Sequence, residues 1–232
     1  VGLSCHHTCM DDKKLEFHGI FFVPPITENF IGHQCSEIWR DNVYAPFLQG
    51  KSGLTIVDLG SNIGLTTYYF SQFADKVYSV EPSKEHFQTL TRMLTFNNIQ
   101  NVVPINKAIY IKSGKLSLYH DVKNKTMYSL HSAIGSANKF ISEEVEAITL
   151  GELFKEHDIK HVDFMKCDIE GSETELLSST SFMDVADKIS TIVVERHDWA
   201  GRQPQQLVDA LKNAGFNVGQ VSTSADLLVG TK

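Results

Sequence analysis

The chain has 232 residues, 42% hydrophobic and 21% charged, with a net charge of −7 and a pI of about 5.8. These values suit one globular α/β domain with a sizeable core. They argue against a membrane-spanning architecture, because no apolar run approaches the ~20 residues a span needs, and against a general nucleic-acid binder, which would be basic.

The four cysteines, Cys5, Cys9, Cys35 and Cys167, are too few and too unevenly spaced for a disulfide scaffold. No secretory signal is visible, so a reducing, cytoplasmic setting is expected. Cys5-His6-His7-Thr8-Cys9 crowds four soft ligands together without the spacing of a zinc site. Leu15 to Val23 predicts a strand or hairpin, ended by Pro24-Pro25. Ser36 to Tyr44 predicts a helix with Ile38, Trp39 and Val43 on one face. Pro46 is expected to end or bend that helix and to bias Ala45 towards an extended shape. Residues 1–50 thus read as an N-terminal extension with a cap helix, and residues 51–232 as the main domain.

Ile56 to Thr67, IVDLGSNIGLTT, carries the strongest signal. Leu54 to Val57 is a buried strand, Asp58 follows it, and Gly60-Ser61-Asn62-Ile63-Gly64 makes a turn into a helix through Phe73. Gly60 permits the sharp turn and Gly64 a close helix start. This is the pattern of a nucleotide-type cofactor site at the C-terminal edge of a parallel strand. It departs from G-x-G-x-x-G, with Asn62 in the second glycine slot. Asp58 would repel a phosphate and suits a cationic group, which favours S-adenosylmethionine. VDLGSNIG resembles the first motif of the Rossmann-like, S-adenosylmethionine-dependent methyltransferases in the form typical of the FkbM family.

Lys76 to Glu81 predicts a second buried strand ending in an acid 21 residues past Gly60, placed to accept both ribose hydroxyls, with Pro82 next to it. Helix Ser83 to Asn97 and strand Val102 to Ile105 follow. Lys107 and Ala108 then sit where an adenine edge would lie. Ile109 to Tyr119 reads as a hairpin around Ser113-Gly114, which the family resemblance also implies. Residues 120–144 have weak periodicity, and Lys107 to Lys139 holds six lysines against one acid, Asp121. A solvated face is one reading of that segment and contact with an anionic part of a substrate is the other. Val145 to Leu150 predicts a strand and Gly151 to His157 a helix.

HVDFMKCDIEGSETELL is the second informative stretch. Val162 to Cys167 is a buried strand closed by Asp168, Glu170-Gly171 turns the chain, and a helix runs through Leu177, with Glu173 read as a first-turn acid. KCDIEGSE resembles the FkbM signature at the end of the fourth strand, a position that faces the transferred methyl group. Ile189 to Glu195 predicts the fifth strand, with Arg196-His197 continuing it. The resemblance extends to this Glu-x-His. Asp168, Glu170, Glu195 and His197 are then expected to converge as the catalytic group, with His197 the first candidate base and Asp168 the second. No metal is assigned, although these carboxylates and His197 could instead hold a divalent cation. Helix Pro204 to Ala214 and strands at Phe216 to Val221 and Ala225 to Val229 complete the chain.

The resemblance covers Ile56 to His197. It implies a mostly parallel seven-stranded sheet with helices on both faces, plus an inserted hairpin or loop. It also implies S-adenosylmethionine as cofactor, held by Asp58, Gly60, Ser61, Asn62, Gly64, Glu81, Pro82, Lys107, Ala108 and Asp168. The implied reaction is methylation of a hydroxyl on a glycan or natural-product acceptor. An RNA methyltransferase and a non-catalytic binding module are the alternatives. The acidic balance and the lack of an Asn/Asp-Pro-Pro-aromatic motif after Asp168 count against the first; the intact Asp58, Gly60, Gly64, Glu81 and Asp168 count against the second.

Overall fold

A computed structural model describes residues 15–17, 20–22, 35–121, 128–129, 140–198 and 204–232. The Cys5–Cys9 cluster and most of the 120–144 segment, with Lys123, Lys125 and Lys139, lie outside these residues. The strands β1 (Leu15–Phe17) and β2 (Ile20–Phe22) form an antiparallel pair. The single helix expected over Ser36 to Tyr44 is instead a π-helical turn, Ser36–Arg40, followed by α1 (Ala45–Leu48). Pro46 lies in the first turn of α1. There its missing N–H is not needed, so it opens a helix and Ala45 is helical.

The chain continues through β3 (Leu54–Leu59), α2 (Leu65–Ser71), β4 (Ala74–Val80), α3 (Lys84–Phe96) and β5 (Val102–Ile105). Next come β6 (Ala108–Ile109), β7 (Gly114–Asp121), β8 (Tyr128–Ser129) and β9 (Phe140–Ile148). Then follow α4 (Leu150–Glu156), β10 (Val162–Cys167), α5 (Glu173–Leu177), α6 (Thr180–Ala186) and β11 (Ile189–Glu195). The last elements are α7 (Pro204–Asn213), β12 (Asn217–Gln220) and β13 (Leu227–Thr231).

The main sheet has seven strands in the order β12-β13-β11-β10-β3-β4-β5. All neighbours are parallel except β13, which runs antiparallel to β11 and β12. This is the expected parallel sheet with a reversed closing pair. Side chains alternate across it. Val57, Leu59, Met165, Cys167, Ile192 and Val194 join the core with α4, α5, α6 and α7. Ile56, Phe164 and Val193 join the opposite core with Tyr44, Leu48, Phe70, Leu90 and Met93. Helices therefore cover both faces. The Phe164 ring meets Phe70 edge-on at 5.4 Å and Tyr44 at 6.2 Å, which ties the N-terminal segment to the sheet.

Strand register aligns the functional edge. Ile105, Val80, Leu59, Cys167, Val194 and Leu228 stand in one row across the sheet. One residue beyond that row, on the parallel strands, stand Asn106, Glu81, Gly60, Asp168 and Glu195. Residues far apart in sequence thus share the C-terminal edge where ligands bind in open α/β sheets.

The hairpin expected within Ile109 to Tyr119 does not form. β7 pairs antiparallel with β9 and β6 pairs parallel with β9, giving a small sheet in the order β6-β9-β7-β8. Leu118, Val145, Ala147 and Ala108 pack into its own small core, which rewards pairing through β9. β9 starts well before Val145, and Thr149 with Glu152 forms a capping box that starts α4 at Leu150. No helix among the described residues is long and apolar enough to cross a membrane.

Candidate active site

The turn after β3 needs Gly60. Its φ is +74°, and a Cβ there would lie 1.7 Å from the Asp168 carbonyl oxygen. The two strand-end turns therefore touch backbone to backbone. Gly64 stands behind the turn, where a Cβ would meet Leu90 and Met93 of α3 at 2.5 Å. It sets the approach of α2 to α3 and does not line the cleft.

The larger cleft encloses about 570 Å³, including its open mouth, and is lined by Gly60, Asn62, Glu81, Pro82, Lys107, Ala108 and Asp168 among others. Seven of the expected cofactor residues thus meet in one place, joined by Ile109 and Leu118, which supply apolar walls, and by His86. A second compartment of about 380 Å³ shares Gly60, Asn62 and Asp168 with the first and adds Tyr44, Ser61, Lys166 and Glu195.

Glu81 sits at the mouth of its own turn, 4% exposed. Oε2 accepts the Asn62 N–H at 2.8 Å and Oε1 accepts the Ser83 N–H at 2.8 Å. Each oxygen keeps a second lone pair for a ligand hydroxyl. Burial pushes its carboxyl up to about 7, against the pull of those two N–H groups.

Asp58 is fully enclosed. Oδ2 accepts from Thr66 at 2.8 Å and Thr67 at 2.7 Å, while Oδ1 faces the Lys166 ammonium at 3.6 Å. Its charge reaches the cleft through Lys166 and not by direct exposure. Ser61 is 2% exposed and its hydroxyl has no hydrogen-bond partner among the described residues.

Asp168, Glu170, Glu195 and His197 come together as expected from their strand ends. The His197 Nε2 lies 3.4 Å from Glu170, 3.9 Å from Asp168 and 3.9 Å from Glu195. On its other side Nδ1 lies 2.9 Å from Oε1 of Glu173. Glu173 is buried and also accepts the N–H groups of Ile169 and Gly171.

The charges act on one another. Burial would raise the Asp168 carboxyl, but the Lys166 and His197 charges hold it below the usual range. Burial and the Asp168 charge push Glu170 up to about 8. The Asp168 charge and burial push Glu195 up to about 9. Burial lowers His197, yet the Glu173 hydrogen bond and the surrounding carboxylates outweigh it and raise the imidazole to about 10. Asp168, Glu170 and His197 each offer a donor atom within 4.8 Å of the others, a set able to hold a divalent cation.

Two important residues escaped the sequence reading. Glu173 looked like an ordinary helix-start acid; the signal was its place two residues after a tight turn with exposed N–H groups. Lys166 carried a plainer signal, a cation inside a buried strand.

Sheet order, the glycine turn and the acids at the strand tips define a Rossmann-like methyltransferase core. Residues 58–218 match the methyltransferase FkbM domain, and the chain belongs to that family. Methyltransferase sdnD of Sordaria araneosa is 25% identical over 214 residues, covering 78% of this chain and 80% of that protein. Hexuronic acid methyltransferase AglP of Haloferax volcanii is 22% identical over 213 residues, covering 88% and 84%. The solved methyltransferase FkbM of Methylobacillus flagellatus superposes with a TM-score of 0.56 at 13% identity, over 83% of this chain. The chain spans about half of that protein, 47%, and the likeness is one of fold.

Proposed function

We propose that this chain transfers a methyl group from S-adenosylmethionine to a hydroxyl of a carbohydrate, with a natural-product hydroxyl as the related alternative. The observation that carries the reading is one cleft lined by Glu81, the Gly60 turn and Asp168, with His197 lying 3.9 Å from Asp168. The cleft fits such a cofactor. Glu81 suits a ribose diol, Ile109 and Leu118 suit an adenine face, and Ser61 lines the second compartment, where the amino-acid end would lie. Relatives named as methyltransferases, one of them for a hexuronic acid, support the class of acceptor.

Bound S-adenosylmethionine supplies an electrophilic methyl group on a sulfonium. The chain's own residues do the rest. Glu81 and the Gly60 turn hold the nucleoside end. Asp168 places negative charge at the edge where positive charge must be held. Alignment of the acceptor oxygen supplies much of the acceleration, because the step is a direct displacement. His197, oriented by Glu173, is the first candidate to take the hydroxyl proton at Nε2, and Asp168 is the second. Resting His197 holds a proton in the neutral range, so its use as a base requires positive charge arriving beside Asp168 to lower its proton affinity.

In this reading residues 51–232 are the catalytic domain, and the described part of the N-terminal extension closes one wall through Ile38 and Tyr44. A cytoplasmic setting belongs to the same reading, in keeping with the free, buried thiols of Cys35 and Cys167.

The test is calorimetric titration of S-adenosylmethionine and its demethylated product into wild type and Glu81→Ala, followed by labelled-methyl transfer to a panel of neutral glycans, hexuronates and polyketide alcohols. Binding that weakens in the variant, with label on an acceptor oxygen, supports the reading. A folded wild type that binds neither ligand sinks it.

A further inference from the structure

Lys166 lies in the middle of the site and is 4% exposed. An ammonium so buried persists only where its N–H groups are answered. Its Nζ donates to the Gly60 carbonyl at 3.0 Å and to Oδ2 of Asp168 at 3.0 Å, and faces Oδ1 of Asp58 at 3.6 Å. These acceptors belong to the end of β3, the turn after it and the turn after β10. The ammonium therefore pins together the two turns that touch at Gly60 and Asp168.

The geometry fixes a direction as well as a distance. Asp168 gives Oδ2 to Lys166 and turns Oδ1 towards Nε2 of His197 at 3.9 Å. Asp58 cannot swing away, because Thr66 and Thr67 hold its other oxygen. The ties run without a break from Thr67 through Asp58, Lys166, Asp168 and His197 to Glu173. Lys166 also lines the second compartment beside Tyr44, Ser61 and Glu195. With two N–H groups hydrogen-bonded to Gly60 and Asp168 and the charge paired with Asp58, its work is to hold protein groups in place.

We propose that Lys166 is a positioning residue, whose ammonium fixes the Asp168 carboxylate between the Gly60 turn and His197 and so sets the end of the cleft at which the methyl group is transferred. The last clause rests on the methyltransferase reading; the tie itself does not.

The experiment is a double-mutant cycle on the full chain with Lys166→Met, Asp168→Asn and the pair. It is read by S-adenosylmethionine affinity and, without ligand, by the ¹⁵N shifts of the His197 ring. Lys166→Met is expected to weaken binding about tenfold, the loss of one charge-assisted tie. In the Asp168→Asn background the same change is expected to alter affinity less than about twofold, because Lys166 acts through Asp168. The His197 shifts are expected to move in Lys166→Met. A purely structural role would instead give equal losses in both backgrounds and unmoved His197 shifts, and either result overturns the proposal. Should Lys166→Met fail to fold for want of a partner to Asp58, Asp58→Asn with Lys166→Met replaces it, compared against Asp58→Asn alone and judged by the same two readouts. A wild type that binds no S-adenosylmethionine sinks the functional reading only; the His197 shifts still decide the tie.

Discussion

Nδ1 of His197 lies 2.9 Å from Oε1 of Glu173, a carboxylate itself held by the Ile169 and Gly171 N–H groups. An acceptor at Nδ1 keeps a proton there in both charge states of the ring and leaves Nε2, facing Asp168, Glu170 and Glu195, as the nitrogen that gains or loses one. Glu173→Gln removes the strong acceptor while preserving shape. It is expected to lower the transfer rate by about 10- to 100-fold and to leave S-adenosylmethionine affinity within about twofold, against a loss of ~10²–10⁴ for His197→Ala. Single-turnover kinetics with calorimetry separates the two quantities. An unchanged rate in Glu173→Gln would remove Glu173 from the machinery.

Glu81 is expected to make S-adenosylmethionine binding depend on pH. Its carboxyl is pushed up to about 7 by burial, so below that value it is largely protonated. Only the ionised form offers every lone pair to the ribose hydroxyls. Affinity for S-adenosylmethionine is therefore expected to rise between about pH 6 and 8, by at most ~10-fold per unit, and to be weak and nearly flat in Glu81→Gln. Calorimetry across that range reads the slope.

Stability is expected to fall as pH rises. Glu170 and Glu195 bind protons in the folded chain at about 8 and 9, well above their ordinary 4.5. His197 binds one at about 10, above its ordinary 6.5. In each case the folded state keeps a proton that the unfolded chain has released. The favourable contribution is whole below the unfolded value and is lost as pH climbs through the folded one. Asp168 has the opposite sign and acts only in acid, below its ordinary 3.8. Melting curves from pH 6 to 9.5 are expected to show a falling Tm. Glu195→Gln is expected to flatten the fall by on the order of 2–4 °C, a modest figure because Glu195 is 35% exposed and screened by solvent. A Tm that rises over this range contradicts the charge arrangement.

The two glycines of the first turn are expected to differ. Gly60→Ala drives a Cβ into the backbone of Asp168, which has nowhere to go. Gly64→Ala meets the flexible ends of Leu90 and Met93 at a φ of +95°. The second change is expected to cost about 1–2 kcal/mol and the first more than ~4 kcal/mol. Urea unfolding of both variants measures the difference, and equal losses would show that the two turns do not press on each other as described.

The sequence carried the sheet and much of the site because those features are local. A glycine turn after a buried run, or an acid closing one, can be read from neighbouring residues. Asp168, Glu195 and His197 could be brought together because parallel strands share one edge. Other features depend on distant pairing. The partner of β7 is β9, across the segment of weak periodicity, so Ile109 to Tyr119 looked like a hairpin by its own alternation. Pro46 reads as a helix stop or a helix start with equal ease until packing around Phe164 decides. Glu173 meets His197 24 residues on and Lys166 meets Gly60 106 residues back, beyond the reach of a short motif, although Lys166 also bonds Asp168 two residues away.

The row of paired residues from Ile105 to Leu228 has a mechanical meaning. Glu81, Gly60 and Asp168 each stand one peptide past a strand, and Glu195 is the last residue of one, so their spacing is that of adjoining strands, near 4.8 Å, and is not left to a loop. Warming first loosens the loops and chain ends, whose opening energies are small, while central strands open only with the whole domain. Heat should therefore loosen the loops around the cleft before it disturbs this row, and the amides of Leu59 and Cys167 should be among the last to exchange with deuterated solvent.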